Sequence, residues 1–141
     1  TDWCGWCKKM DKDTFSDTLI AKLMNHYFVS AKFNAEQKED VTVNGKTYKI
    51  SQTPTNSKRA PVHELAYYLL NNRLSYPSFS ILDKDFKVIT VVPGYYPAAE
   101  FEKVIVYLGE GLMNEVTFET FSKEYAEKYR DKILKKVYSK K

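Results

Sequence analysis

The sequence is poor in anything that could cross-link a fold. It holds two cysteines, too few for the disulfide framework that replaces a core in small secreted domains. It holds two histidines, His26 and His63, which lie far outside the spacing at which a zinc finger presents its His pair. No apolar run approaches the roughly 18 residues that span a membrane, so no span is expected in this chain. No low-complexity segment and no internal repeat is visible. No signal peptide can be read either. The chain opens abruptly inside a motif, and the expectation is that the native protein continues upstream of Thr1.

What remains is the composition of one folded domain with its own core: 141 residues, 43% hydrophobic and 28% charged. Eleven tyrosines predict half-buried phenols around the core's rim. The net charge of +4 is unevenly placed. Residues 123–141 carry eight Lys/Arg against three acids, an excess of five, so the remainder is close to neutral. A basic helical tail can attract nucleic acid or an anionic surface. A solvated helix face accounts for it more simply, and no nucleic-acid partner is expected.

Read in order, good helix formers after Cys4 predict a short helix to about Met10, with a break over 11–14. Ser16 is the expected cap of the next helix, with Asp17 in its first turn and Phe15 and Ile20 as a hydrophobic staple. Leu19, Ile20, Leu23 and Met24 form its apolar face. Residues 28–34 alternate and predict a strand. Val41 to Ile50 around Asn44-Gly45 predicts a hairpin with a type I′ turn, followed by a loop over 51–59. Pro61 is expected to open a helix running to Leu74. Strands are expected at 79–82 and 86–92, paired antiparallel across Asp83-Lys84-Asp85. Pro97 opens a helix with Phe101, Val104, Ile105 and Leu108 inward, ending near Gly109 and Gly111. Thr117 caps a last helix whose one face carries Phe118, Phe121, Tyr125, Tyr129 and Ile133.

The chemistry is carried by Trp3-Cys4-Gly5-Trp6-Cys7. A thiol attacks a disulfide only as its thiolate, and a free cysteine, with a pKa of about 8.5, is mostly protonated at neutral pH. The start of a helix corrects this, because its unpaired N–H groups and dipole favour a negative sulfur. With two residues between them, Cys4 can sit at the exposed start of the helix while Cys7, one turn on, lies close enough to bridge. Gly5 removes bulk beside the sulfur and permits a tight turn, and Trp3 and Trp6 offer an apolar docking surface. Other readings of the pair are zinc and a structural disulfide. Zinc would need both distant histidines, and a disulfide closing so short a loop stabilises little. His63 is expected at a helix start or on the surface, and His26 at a helix end.

These residues resemble the thioredoxin superfamily. Trp3-Cys4-Gly5-Trp6-Cys7-Lys8-Lys9-Met10 looks like its W-C-x-x-C-K-x-[ML] signature, in the Gly-Trp form typical of bacterial exported proteins. Residues 31–37 look like the family's strand ending in Asn-x-Asp, Tyr76-Pro77-Ser78-Phe79 like its cis-proline loop, and Gly94 like the glycine of its substrate groove. The resemblance implies an α/β thioredoxin fold, a central mixed β-sheet flanked by helices, over residues 1–114. A β-hairpin insertion falls at about 38–60 and an extra C-terminal helix at 115–141. The family's N-terminal central strand, which precedes the motif and often carries a buried acid, is missing from this chain; Lys32 matches that acid's usual partner.

The resemblance also implies roles. Cys4 is the nucleophile and Cys7 the resolving thiol. Pro77 is cis beside them, and Tyr76 pairs through its backbone with substrate. Trp3, Gly5, Trp6 and Gly94 complete the substrate-binding set. The expected function is thiol-disulfide oxidoreduction on protein disulfides and dithiols, in the reducing or isomerising direction. It needs an unidentified thiol electron donor, no metal and no organic cofactor, in the periplasm or otherwise outside the cytoplasm of a bacterium. The alternative is a redox-sensing or partner-binding module of the same fold without turnover.

Overall fold

The computed structural model describes residues 1–52 and 60–139. Most of the loop expected over 51–59, and Lys140 and Lys141 of the basic tail, lie outside the described residues. Helices and strands alternate: α1 (Gly5–Met10), α2 (Thr18–Tyr27), β1 (Val41–Val43), β2 (Lys46–Tyr48), α3 (Glu64–Leu69), β3 (Ser78–Leu82), β4 (Val88–Pro93), α4 (Ala98–Gly109), α5 (Phe118–Glu124) and α6 (Arg130–Ser139). The chain packs as two units, Thr1–Lys8 with Lys32–Tyr95, and Lys9–Ala31 with Tyr96–Lys141.

The first unit holds two antiparallel pairs, β1 with β2 and β3 with β4. Asn44 and Gly45 take φ of 49° and 79°, the left-handed values a type I′ turn needs. Asn44 Nδ2 donates to the Asp85 carbonyl at 3.0 Å, and the Lys49 N–H donates to the Glu64 carboxylate at 2.9 Å. The hairpin is thereby tied to the β3–β4 turn and to the first residue of α3. That turn forms because Asp83 Oδ1 accepts from the N–H groups of Asp85 and Lys87 at 2.8 and 2.9 Å. Phe86 takes φ of 64° there, so β4 begins at Val88, two residues later than expected.

The alternation over 28–34 is not realised as a strand. These residues pair with no strand among the described residues, and Val29 is fully exposed at 105%. A strand exists only against a neighbour, and without a ladder the period-2 pattern has nothing to hold it. Among the described residues the sheet content is accordingly two small antiparallel sheets, in place of one central mixed sheet.

α3 starts later and ends earlier than the Pro61–Leu74 expectation. His63 is its cap: Nδ1 accepts from the Leu65 N–H at 3.1 Å, so the ring carries its proton on Nε2, which donates to the Glu39 carbonyl at 2.9 Å. Both nitrogens being satisfied, the ring is fully buried at 0% exposure against Phe33, where a surface position was one expectation. The helix stops because Asn71 and Asn72 both adopt left-handed φ, 50° and 63°, and the Asn72 N–H closes back on the Tyr67 carbonyl at 2.8 Å.

In the second unit α2 packs on α4. The break expected over 11–14 is instead a π-helical turn, Asp11–Phe15, that continues α1. Ser16 remains helical and its hydroxyl donates back to the Lys12 carbonyl, so it cannot cap α2. Asp17 does, its carboxylate accepting from the Ile20 N–H at 3.1 Å. Thr117 caps α5 as expected, through the Thr120 N–H at 3.2 Å. A second π-helical turn, Tyr125–Tyr129, joins α5 to α6. There the buried Glu102 carboxylate of α4 accepts from the Tyr125 hydroxyl at 2.8 Å and from Arg130 Nε at 2.7 Å. A buried carboxylate without such partners would be costly, so this trio ties the C-terminal helices to α4.

Gly109 closes α4 where the Tyr27 ring crosses it. An added Cβ would lie 2.3 Å from Tyr27 Cγ. Gly109→Ala is therefore expected to destabilise the protein by about 1–3 kcal/mol, read as a melting temperature lower by several degrees. A second expectation concerns pH. Burial, then Glu110, raises the pKa of Tyr27; burial, then the Glu102 hydrogen bond, raises that of Tyr125. The neutral phenols are favoured in the fold, so their contribution is complete below the unfolded value of about 10 and is lost as pH rises through and beyond it. The urea midpoint should fall as pH is raised past about 10, and less steeply in Tyr27→Phe; a flat midpoint would contradict this assignment.

Candidate functional site

α1 begins at Gly5, which leaves Cys4 at the cap position, and the Lys8 N–H closes the first turn on the Cys4 carbonyl at 3.2 Å. Cys4 and Cys7 form a disulfide, with Cα atoms 5.2 Å apart. The Cys7 N–H donates to Cys4 Sγ at 3.1 Å. Cys4 thus occupies the place of a capping side chain, and its sulfur takes one of the donors that a helix start leaves unpaired. A negative charge formed on that sulfur would meet the positive end of the helix.

Exposure differs from the sequence expectation. Cys4 is 3% exposed and Cys7 half-buried, whereas Cys4 was expected to be open to solvent. The disulfide and the Cys7 N–H hold Sγ against its own first turn. Gly5 also departs from expectation. Its φ is not left-handed, so no tight turn requires it, and an added Cβ would meet nothing within 4 Å.

The two tryptophans flank the disulfide, exposed at 67% and 59%. Each leans on a tyrosine. Trp3 packs edge-to-face on Tyr76, ring centroids 5.9 Å apart, and Trp6 lies 5.4 Å from Tyr95. Trp3 is fixed a second way, its indole N–H donating to the Glu36 carboxylate at 2.7 Å. Asn34 aims that carboxylate, since its Oδ1 accepts from the Glu36 N–H at 3.0 Å in an Asx turn. The Tyr76 hydroxyl is buried with no hydrogen-bond partner among the described residues; burial, then Glu36 and Tyr67, raises its pKa and keeps the phenol neutral.

The Tyr76–Pro77 peptide bond is cis and Pro77 is buried. The Gly94 N–H donates to the Pro77 carbonyl at 2.8 Å, with Gly94 at φ of 98°. Here glycine is required by backbone conformation, because an added Cβ would have open space. Trp6, Tyr76, Pro77, Gly94 and Tyr95 line one groove of about 380 Å³. The backbone N–H and C=O of Tyr76 form no hydrogen bond among the described residues, which leaves a donor and an acceptor free at its edge.

The fold thus gathers Trp6, Tyr76, Pro77 and Gly94 into one groove and holds Trp3 beside it through Tyr76. Two contributors were not anticipated, Tyr95 and Glu36. Tyr95 could have been suspected from its place directly after the groove glycine, and Glu36 from its place two residues after Asn34. Among the described residues no group of three or more His, Cys, Asp or Glu could hold a metal ion, and the redox centre is the disulfide itself.

A family model described as a thioredoxin-like domain matches residues 1–109, and the chain belongs to that family. Neither the comparison with curated proteins nor that with solved structures found a match. A thioredoxin-like α/β domain with a disulfide-forming Cys pair performs thiol-disulfide redox chemistry, and proteins of this family engage protein dithiols and disulfides.

Glu36 offers a test of how the site is held. In a Trp6→Phe background, Glu36→Ala should release the Trp3 indole and shift its fluorescence, while Glu36→Gln, which keeps an acceptor, should stay close to the parent. Identical spectra for all three would show that the Glu36 contact does not fix the ring.

Proposed function

We propose that this protein is a thiol-disulfide oxidoreductase that turns over on protein disulfides, in the reducing or isomerising direction. The observation that supports it most is the Cys7 N–H donating to Cys4 Sγ beside a groove whose Tyr76 backbone is unbonded. In the reduced protein a Cys4 thiolate would keep that N–H. It attacks one sulfur of a substrate disulfide, the S–S bond breaks, and the departing substrate sulfur leaves as a thiolate and takes a proton. The substrate is then joined to Cys4. Cys7 loses its proton and attacks Cys4 Sγ, which releases the second substrate thiol and closes the Cys4–Cys7 disulfide. Two electrons have passed to the substrate, and a thiol donor restores the pair.

The groove residues hold the substrate during these steps. An extended segment hydrogen-bonds to the free Tyr76 N–H and C=O, against Pro77 and Gly94, and covers apolar surface on Trp3 and Trp6. The direction follows from what lies between the cysteines. Gly5 and Trp6 place no cation there to stabilise the reduced thiolate further, which argues against a strong oxidant. Action outside the cytoplasm rests on the resemblance of the Gly-Trp motif to exported bacterial proteins.

The test is turnover with trapping. Reduction of insulin by dithiothreitol should be accelerated by the wild type and lost, by about a hundredfold or more, in Cys4→Ser. Cys7→Ser should accumulate a mixed disulfide on Cys4. Unaccelerated insulin reduction by the wild type would favour the reading as a redox-sensing or partner-binding module.

A further inference from the structure

A cavity of about 460 Å³ in the first unit lies away from the cysteines, between the β1–β2 hairpin and α3. Its wall is aromatic and its rim polar. Tyr48 is buried, and its ring lies 5.8 Å from that of Tyr68. Tyr68 is fixed in place: its hydroxyl donates to the Phe86 carbonyl at 2.6 Å and its ring stacks on Phe86. The hairpin side is equally fixed, since Glu64 Oε2 accepts from the Lys49 N–H. The cavity is therefore built before any ligand arrives, which removes an ordering cost from binding.

The rim, in contrast, keeps several polar groups without a protein partner. The Asn71 and Asn72 amides and the Tyr67 hydroxyl have no hydrogen-bond partner among the described residues, and neither has Glu64 Oε1. The left-handed backbone at Asn71 and Asn72 ends α3 at this rim. Lys46 is in no ion pair among the described residues, and its Nζ lies 5.0 Å from the Tyr48 ring centroid. One cation and one carboxylate leave the cavity neutral overall. Amides and a phenol both donate and accept, which suits neighbouring hydroxyls that do the same. The C–H face of a sugar ring carries partial positive charge and matches the negative face of an aromatic ring.

We propose that this cavity is a binding site for a neutral sugar unit, independent of the redox reaction. A ligand this small and this polar is expected to bind in the millimolar range. The probes are neutral hexoses, N-acetylhexosamines and their disaccharides, titrated into the whole chain while the tyrosine ring resonances are followed by NMR. The double variant Asn71→Gly/Asn72→Gly keeps the left-handed backbone and removes only the amides, so it should remain folded. At least one sugar should give saturable shifts at Tyr48, Tyr67 and Tyr68, weakened about tenfold or more in the variant, while the rate of insulin reduction is the same in both proteins. The proposal is overturned if no sugar gives saturable shifts at these rings, or if the shifts survive unweakened in the variant. Insulin turnover reports separately on the redox reading, so either idea can fail alone.

Discussion

The hydrogen bond from the Cys7 N–H to Cys4 Sγ ties the redox pair to the one part of a helix that can hold a negative sulfur. A helix of six residues supplies little field by itself, and what gives it a role is position. Cys4 stands where a capping side chain would stand, so a donor that would otherwise face water points at sulfur. The two-residue spacing follows from the same geometry. The third residue of the helix is the one whose N–H reaches the cap, and here that residue is the second cysteine. One arrangement therefore sets both the bridge and the stabilisation of the attacking sulfur.

The surroundings keep that pair in place and give it something to work on. Trp3 is held from two directions, by the Glu36 carboxylate and the Tyr76 ring, and Trp6 rests on Tyr95. Gly94 and Pro77 are joined by one backbone bond, and Tyr76, two residues before β3, has no backbone partner among the described residues. On the C-terminal side of the motif, in the second unit, Met10 Sδ accepts from the Tyr96 N–H at 3.3 Å and the buried Thr14 hydroxyl donates to the Tyr96 carbonyl at 2.6 Å. The segment just past the groove residues is thus fixed by the turn that follows the motif's own helix.

Much of this was legible in the sequence where local chemistry dictates local geometry. Asn44-Gly45 specified its turn, Thr117 its cap, and the resemblance carried by Trp3 to Met10, Tyr76-Pro77 and Gly94 pointed to the groove. What escaped depends on partners distant in sequence or absent from the pattern. Residues 28–34 alternate as a strand does, but alternation describes a face and cannot supply a neighbouring strand. Ser16 has the chemistry of a cap and lost the place to Asp17, because a π-helical turn carried the helix past it. His63, expected at a helix start or on the surface, is a helix start; its burial follows only once the Leu65 N–H and the Glu39 carbonyl satisfy both its nitrogens. The burial of Cys4 and the support from Glu36 and Tyr95 likewise arise only once the chain is folded.

The central claim, that Cys4 and Cys7 form a working redox centre rather than a structural link, is tested most directly by the equilibrium potential of the pair, measured in a dithiothreitol or glutathione buffer series. The account predicts a value between about −270 and −180 mV, the span of reducing and isomerising members of the family. A value below about −300 mV, where structural disulfides lie, would contradict it, and one near −120 mV would reverse the proposed direction.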